Sequence, residues 1–334
     1  MAREADVSRT TAAKVLLGTG GDHVRVGEAT RKRVEQAAAL LDYRPNRAAQ
    51  HLAGARTQTL GVLMDTVNAP VMNDRLAAIE REARRRGYRL LIGQVGGDIE
   101  VLRDYLLDFD GRGVEALFCL FDVTRGRALR LKPLLGGRRD VVLHGKPLDR
   151  LGHCVRVDTA QAIDGLVAHL LGAGRRRIGL QLENMNDALM GVRRKAFQAA
   201  LQSRGEAFDP DCVWTARSES VIPSPQMLTD AIDTLVDRHK VDAIVASNDV
   251  WAVRLIQALK ARGNRVPDDV AVTGYDNLDL ATIIDPPLTT IDQQHDLYAK
   301  AAVDLLIAIA SGAPFPQAQR TATIDPKLIQ RTSA

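Results

Sequence analysis

No apolar run in this chain is long enough to span a bilayer, and the opening Met1-Ala2-Arg3-Glu4 carries no hydrophobic signal core. The expectation is a cytoplasmic protein with no membrane partner. Cysteine is scarce: Cys119, Cys154 and Cys212 are odd in number and lack metal-ligand spacing, which argues against a disulfide framework and a metal site. There is no Walker motif and no nucleophile–base pair. The run Gly18-Thr19-Gly20-Gly21 follows a helix rather than joining a strand to a helix, so it fails as a dinucleotide-binding turn. No enzyme, no cofactor and no catalytic residue are expected. Charge excess is also missing from most of the chain. Residues 1–56 hold ten Lys and Arg against six Asp and Glu, and the rest balances at thirty-five of each. A polyanion partner for the head alone follows, although a plain solvated surface accounts for the charge equally well.

The head reads as helices. Residues 2–5 end one helix, Asp6-Val7 turns, and Ser8 caps a second helix through Leu17. Val7, Ala12, Val15 and Leu16 face inward there, with Arg9, Thr10 and Lys14 outward. A loop at Gly18–Asp22 precedes a third helix from Ala29, with Val34, Ala37, Ala38 and Leu41 inward. This is the helix-turn-helix plan, whose second helix enters the major groove. In the linker, Pro45 ends the preceding helix, Asn46 can cap a short new one and Gly54 can close it. A helix of that length does not stand alone in water, so it folds only against a partner.

The wording of Arg3-Glu4-Ala5-Asp6-Val7-Ser8-Arg9-Thr10-Thr11, of Ala29-Thr30-Arg31-Lys32-Arg33-Val34 and of Leu41-Asp42-Tyr43-Arg44-Pro45-Asn46 resembles the head of the lactose-repressor (LacI/GalR) family. The resemblance implies roles by position. Ser8 would hold a phosphate at a helix N-terminus, while Arg9, Thr10 and Lys14 would meet base edges. Thr11 would touch backbone or a thymine methyl. In the family the linker helices of a homodimer pair and wedge leucines into the minor groove. Leu52 matches that lever, Ala49 and Ala53 allow close helix approach, and Asn46, Arg47 and Gln50 reach phosphate or groove acceptors. Ordinary helix surface remains the alternative for Thr10 and Thr11, solvation for Arg9 and Lys14, and a staple onto the body for Leu52. Three departures stand out. The first helix is expected to be incomplete, the Gly18–Asp22 loop is longer than the family's usual connection, and Asp6 occupies a position where the family commonly has glycine.

From Thr57 onward strands and helices alternate. Strands are expected at 60–64, 88–95, 114–121, 141–145, 178–182, 213–214, 241–246 and 270–273, with amphipathic helices between, and two short strands at about 319–324 and 327–331. The pattern predicts an α/β body of two doubly wound parallel-sheet subdomains, with ligand at the carboxyl ends of the strands. The resemblance extends through Val157-Asp158, Gly174-Arg175-Arg176-Arg177-Ile178, Ala246-Ser247-Asn248-Asp249, Gly274-Tyr275-Asp276 and Pro286-Pro287-Leu288-Thr289-Thr290-Ile291. It implies a body like periplasmic sugar-binding proteins, with chain crossovers near Asp158, Asp285 and Pro316 and an effector between the halves.

For that effector, Arg193, Asn248 and Asp276 combine a guanidinium fork, a donor–acceptor amide and a two-oxygen acceptor, a set suited to a sugar or sugar acid. Gln293 is a pocket or interdomain position by resemblance. His144 and Lys146 end a strand at the rim, and Trp214 can stack on a sugar face. Each has a structural alternative: surface helix for Arg193, helix cap for Asn248, loop end for Asp276 and core packing for Trp214. The expected organisation is a head at 1–44, a hinge helix and linker at 45–58, and a body at 59–334. Within the body, one subdomain covers about 59–157 and 286–316 and the other about 158–285 and 317–334. The expected function is a dimeric, effector-controlled repressor on a pseudo-palindromic double-stranded DNA operator. The alternative is a cytoplasmic sugar-binding module with a non-functional head.

Overall fold

The computed structural model describes residues 1–17, 26–43, 56–65, 70–121, 123, 125–148, 152–183, 187–216, 222–312 and 320–334. In the head, helix α1 (Arg9–Leu17) packs on α2 (Glu28–Leu40). Ala5, Val34 and Ala37 form its centre, flanked by Met1, Val7, Val15 and Leu16. The expected inward stripe is met except at Leu41, which is half exposed (49%) because α2 ends there. The following Asp42 has φ +43, and the Tyr43 amide returns to the Ala38 carbonyl (2.8 Å), a left-handed cap that turns Leu41 off the buried face.

The body holds two parallel sheets. The first contains β1 (Thr59–Met64), β2 (Arg89–Gln94), β3 (Ala116–Leu120), β4 (Val141–His144), β5 (His153–Val157) and β11 (Thr321–Ile324), in the order β11-β5-β4-β3-β1-β2. The second contains β6 (Ile178–Leu182), β7 (Val213–Thr215), β8 (Ala243–Val245) and β9 (Ala271–Thr273), in the order β7-β6-β8-β9. Beside it β10 (Thr290–Asp292) pairs antiparallel with β12 (Lys327–Ile329). Continuous apolar strands such as Ala116–Leu120, buried throughout, reflect sheets covered on both faces. Helices α3 (Pro70–Arg85) and α11 (His295–Ala310) pack together on one face of the first sheet. Helices α4 (Ile99–Gly111) and α5 (Arg125–Leu135) cover the other. The second sheet is clasped by α6 (Thr159–Gly172) and α7 (Asp187–Gln202) on one side. On its other side lie α8 (Pro225–Ile232, continued as a π-helical turn through Arg238), α9 (Asp249–Ala261) and the short α10 (Leu280–Ile283).

Five elements were not expected from the sequence: α5, β5, α10, β10 and α11; conversely, residues 2–5, expected to end a helix, form turns. Pro133 inside α5 reads as a breaker, while α11 is apolar over most of its circumference and hides its period. The crossovers also differ. The chain leaves the first sheet at Asp158 as expected, but it returns after Asp292 rather than at 285 and leaves again between Ile324 and Lys327 rather than at 316. The strand at 321–324 therefore pairs with β5 in the first half, and only 327–329 joins the second. The Pro286-Pro287 run marks a loop before β10, and the strand pairing continues past it.

Candidate functional site

In each sheet the strand order reverses once, between β1 and β3 in the first and between β6 and β8 in the second. Chains leaving the carboxyl ends of such neighbouring strands diverge and open a crevice. The two crevices face each other across one cavity of about 670 Å³. The first half supplies Asp65 after β1, Phe121 after β3, His144 and Lys146 at the end of β4, Arg156 and Asp158 at β5, and Arg75 from α3. The second supplies Glu183 after β6, Arg193 from α7, Ser247 and Asn248 after β8, Tyr275 and Asp276 after β9, and Gln293 after β10.

Of the expected effector residues, the fold brings His144, Lys146, Arg193, Asn248, Asp276 and Gln293 to this cavity. Trp214 is elsewhere. Its ring lies 5.6 Å from that of Trp251 and packs with the core on the α9 side of the second sheet, because Trp214 sits in the middle of β7 and alternation there directs it to that helix-covered face, short of the carboxyl ends where the cleft opens. Asn248 both caps α9, where its Oδ1 accepts from the Trp251 amide (2.9 Å), and donates Nδ2 to Glu183 (3.1 Å). Arg193 is buried, donates to the Ser247 carbonyl and lies over the Tyr275 ring at 4.1 Å.

Asp276 is buried with φ +121, a backbone region that costs an L residue of the order of 1–3 kcal/mol. It is held there by its amide bond to the Ile291 carbonyl (2.8 Å) and by Gln293 Nε2, which donates to Oδ1. Burial, reinforced by the neighbouring Asp249, pushes its carboxyl up to about 8. Burial likewise pushes the fully enclosed Asp249 up to about 6, although Thr290 Oγ1 (2.5 Å) and the Leu278 amide (2.7 Å) donate to it. Gly274 makes this possible, since a Cβ there would stand 2.1 Å from Asp249 Oδ1.

Arg75 was not singled out from the sequence. It is 1% exposed, with its guanidinium 4.5 Å over the Tyr298 ring. Arg75 Nη2 donates to Gln293 Oε1 (2.5 Å) and Nη1 to His144 Nε2 (3.4 Å). That assigns the His144 proton to Nδ1, which donates to the Tyr298 hydroxyl (2.7 Å), and this in turn donates to the Val155 carbonyl (3.2 Å). A hydrogen-bond chain thus runs from Asp276 in one half to β5 in the other. The legible signal was an arginine four residues before Ile79 on the inward stripe of α3. Glu183 and Tyr275 were also missed as lining residues; a charged residue directly after the apolar strand β6 was the legible signal for Glu183, while Tyr275, two residues beyond β9, reads as an ordinary core aromatic.

In the head, Arg9 and Thr10 are exposed, while Thr11 and Lys14 are half-buried. Ser8 Oγ accepts from the Thr11 amide (3.0 Å) and lies 2.9 Å from the Thr11 hydroxyl, so the expected cap is present. Asp6 has φ +47, which gives a physical reason for a glycine at this position. Asn46, Arg47, Gln50, Leu52 and Ala53 lie outside the described residues.

Residues 1–46 match the bacterial regulatory proteins of the lacI family, and residues 167–334 match the periplasmic binding protein-like domain. The chain is 29% identical over 311 residues to the HTH-type transcriptional repressor PurR of Photobacterium profundum, covering 92% of this chain and 90% of that protein. It is 28% identical over 335 residues to the ribose operon repressor of Escherichia coli, covering 100% and 98%. Among solved structures it is similar to the lac repressor dimer bound to operator and the anti-inducer ONPF (TM-score 0.82, 21% identity, 99% and 97% covered). It is also similar to the transcriptional regulator CelR–cellobiose complex (TM-score 0.69, 25% identity, 100% and 98% covered). With a helix-turn-helix head at one end and a two-crevice body behind it, the chain belongs to the lacI family of bacterial regulatory proteins.

Proposed function

We propose that this chain is a cytoplasmic, homodimeric transcriptional repressor that binds a pseudo-palindromic operator and is controlled by a small hydroxylated effector, a sugar or sugar acid. The observation that carries this reading is the cavity walled by both halves, on a chain whose exposed Arg9 and Thr10 open helix α1 of the head. In this reading Ser8 holds phosphate, Arg9, Thr10 and Lys14 read base edges with Thr11 beside them, and Leu52 wedges into the minor groove. Asn46, Arg47, Gln50 and Ala53 support it along the linker.

In the cleft Asn248 and Asp276 take hydroxyls, Arg193 forks onto vicinal oxygens, and His144, Lys146 and Gln293 close the first-half side. Relatives point the same way: one is named for a ribose operon and a similar structure holds cellobiose. The effector works by differential affinity for two angles between the halves, and the linker helices order in only one of them. The test is operator binding by the full-length protein with and without effector. Leu52→Ala should weaken specific binding by about 10-fold or more while sparing effector binding, because it removes the wedge and leaves the body intact. Specific binding unchanged by Leu52→Ala would remove the lever from the mechanism.

A further inference from the structure

We infer that the effector carries an anionic group, a carboxylate or a phosphate, and that Arg75 on the first-half side of the cleft is its seat. The inference rests on the cleft being the effector site. Arg75 and Arg193 are buried cationic side chains in the cavity wall. Neither makes an ion pair among the described residues, and the Asp276 carboxyl, whose charge both would favour, is pushed up to about 8 by its own burial and does not answer them with a full charge at neutral pH. The partners of Arg75 are Gln293 Oε1, a His144 nitrogen, the Met72 sulfur and the Tyr298 ring, all neutral, and its Nε has no partner among the described residues. Arg193 meets a carbonyl and the Tyr275 ring, and its Nε is likewise without a partner. A guanidinium taken out of water costs several kcal/mol unless an anion answers it.

The acids nearby are committed. Asp65 is paired with Arg127, Asp158 caps α6 through the Gln161 amide (3.0 Å), and Glu183 accepts from Asn248. Asp276 faces the cavity from the second half, already bonded to Gln293. A neutral sugar would supply oxygens for Arg75 but no charge. An anionic ligand supplies both and divides naturally over the cleft, with hydroxyls toward Asn248 and Asp276 and the charged end toward Arg75. Lys146 and Arg156 on the same wall add to the positive field.

The experiment uses the full-length protein without DNA, titrated by calorimetry and thermal shift with D-glucose, D-gluconate, D-glucuronate, D-glucose 6-phosphate and inorganic phosphate. At least one anion should bind more tightly than D-glucose. The sugar acids against the two phosphates distinguish a carboxylate from a phosphate. Arg75→Met should lower that anion's affinity by roughly 30-fold or more, the loss typical of truncating one partner of a buried charge pair. The unliganded melting temperature should stay unchanged or rise, since a buried unpaired charge has been removed. Arg75→Lys, which keeps the charge and loses the fork, should fall between. D-glucose binding as tightly as every anion, no anion shifting the melting temperature, or Arg75→Met retaining anion affinity would each overturn the inference. The ranking of anion over D-glucose in the parent protein needs no variant, so it holds even if Arg75→Met fails to fold. Operator binding is measured separately, so a protein that binds anions without binding DNA would overturn the repressor reading and leave this one standing.

Discussion

Asp276 combines a disfavoured backbone angle, near-complete burial and a carboxyl pushed up to about 8. A carboxyl that keeps its proton longer when folded means that, between about pH 4 and pH 8, the folded state binds more protons than the unfolded chain. Stability therefore falls as pH rises through that window. Asp276→Asn should be close to neutral near pH 4, already stabilising at pH 5, and increasingly so toward pH 8, by about 1 kcal/mol or more. Thermal unfolding of the unliganded pair from pH 5 to 8.5 measures this, and a difference independent of pH would contradict the raised value. Trp214, by contrast, packs on Trp251 outside the cleft, so Trp214→Phe should leave effector affinity within about 2-fold and lower stability by about 1 kcal/mol. At this scale the sequence was informative where chemistry is local. Asn248 and Asp276 follow strands at their carboxyl ends, and Arg193 stands on the helix after such a strand, positions readable from periodicity. Arg75 was not legible, because its role depends on Gln293, far along the chain, arriving at its guanidinium. Trp214 misled because it lies within β7, where the side chain packs on Trp251, and nothing local separates that from a place beyond the strand's carboxyl end, where the cleft opens.

The elements of the head carry two separable jobs on one residue. Ser8 caps α1, and in the proposed reading it also holds a phosphate. Ser8→Ala should cost about 1 kcal/mol of head stability together with operator affinity. Ser8→Asp should keep the cap, because a carboxylate accepts the same amide, yet lose operator affinity by repelling phosphate. Circular dichroism melting beside operator titration separates the two; equal losses in both variants would make Ser8 structural only. Among the body elements, strands with unbroken apolar runs were readable and helices with a clear amphipathic stripe were too. Helix α11 was not, since burial against α3 and the first sheet leaves it little polar face to set a period.

Across the whole molecule, the halves are joined by the chain of hydrogen bonds from Asp276 through Gln293, Arg75, His144 and Tyr298 to the Val155 carbonyl, a candidate path for coupling. Gln293 stands on the segment where the chain crosses back, so it belongs to both. Gln293→Leu should reduce the effector's influence on operator affinity by roughly 2- to 30-fold, the usual range for a coupling residue. Effector titrations with and without operator DNA report that ratio, and an unchanged ratio would remove Gln293 from the coupling path.

The late crossovers also bear on how the protein is made. The first half cannot finish its sheet until β11 at residues 321–324 has been synthesised, nor cover that sheet until α11 exists. The second half has nearly all its strands by Asp292. The subdomain encoded first is therefore left unfinished until nearly the end of synthesis, and the last residues, β12 and Ser333, then complete the second. A head that emerges at the outset must therefore wait for almost the entire chain before both halves of the body behind it are finished.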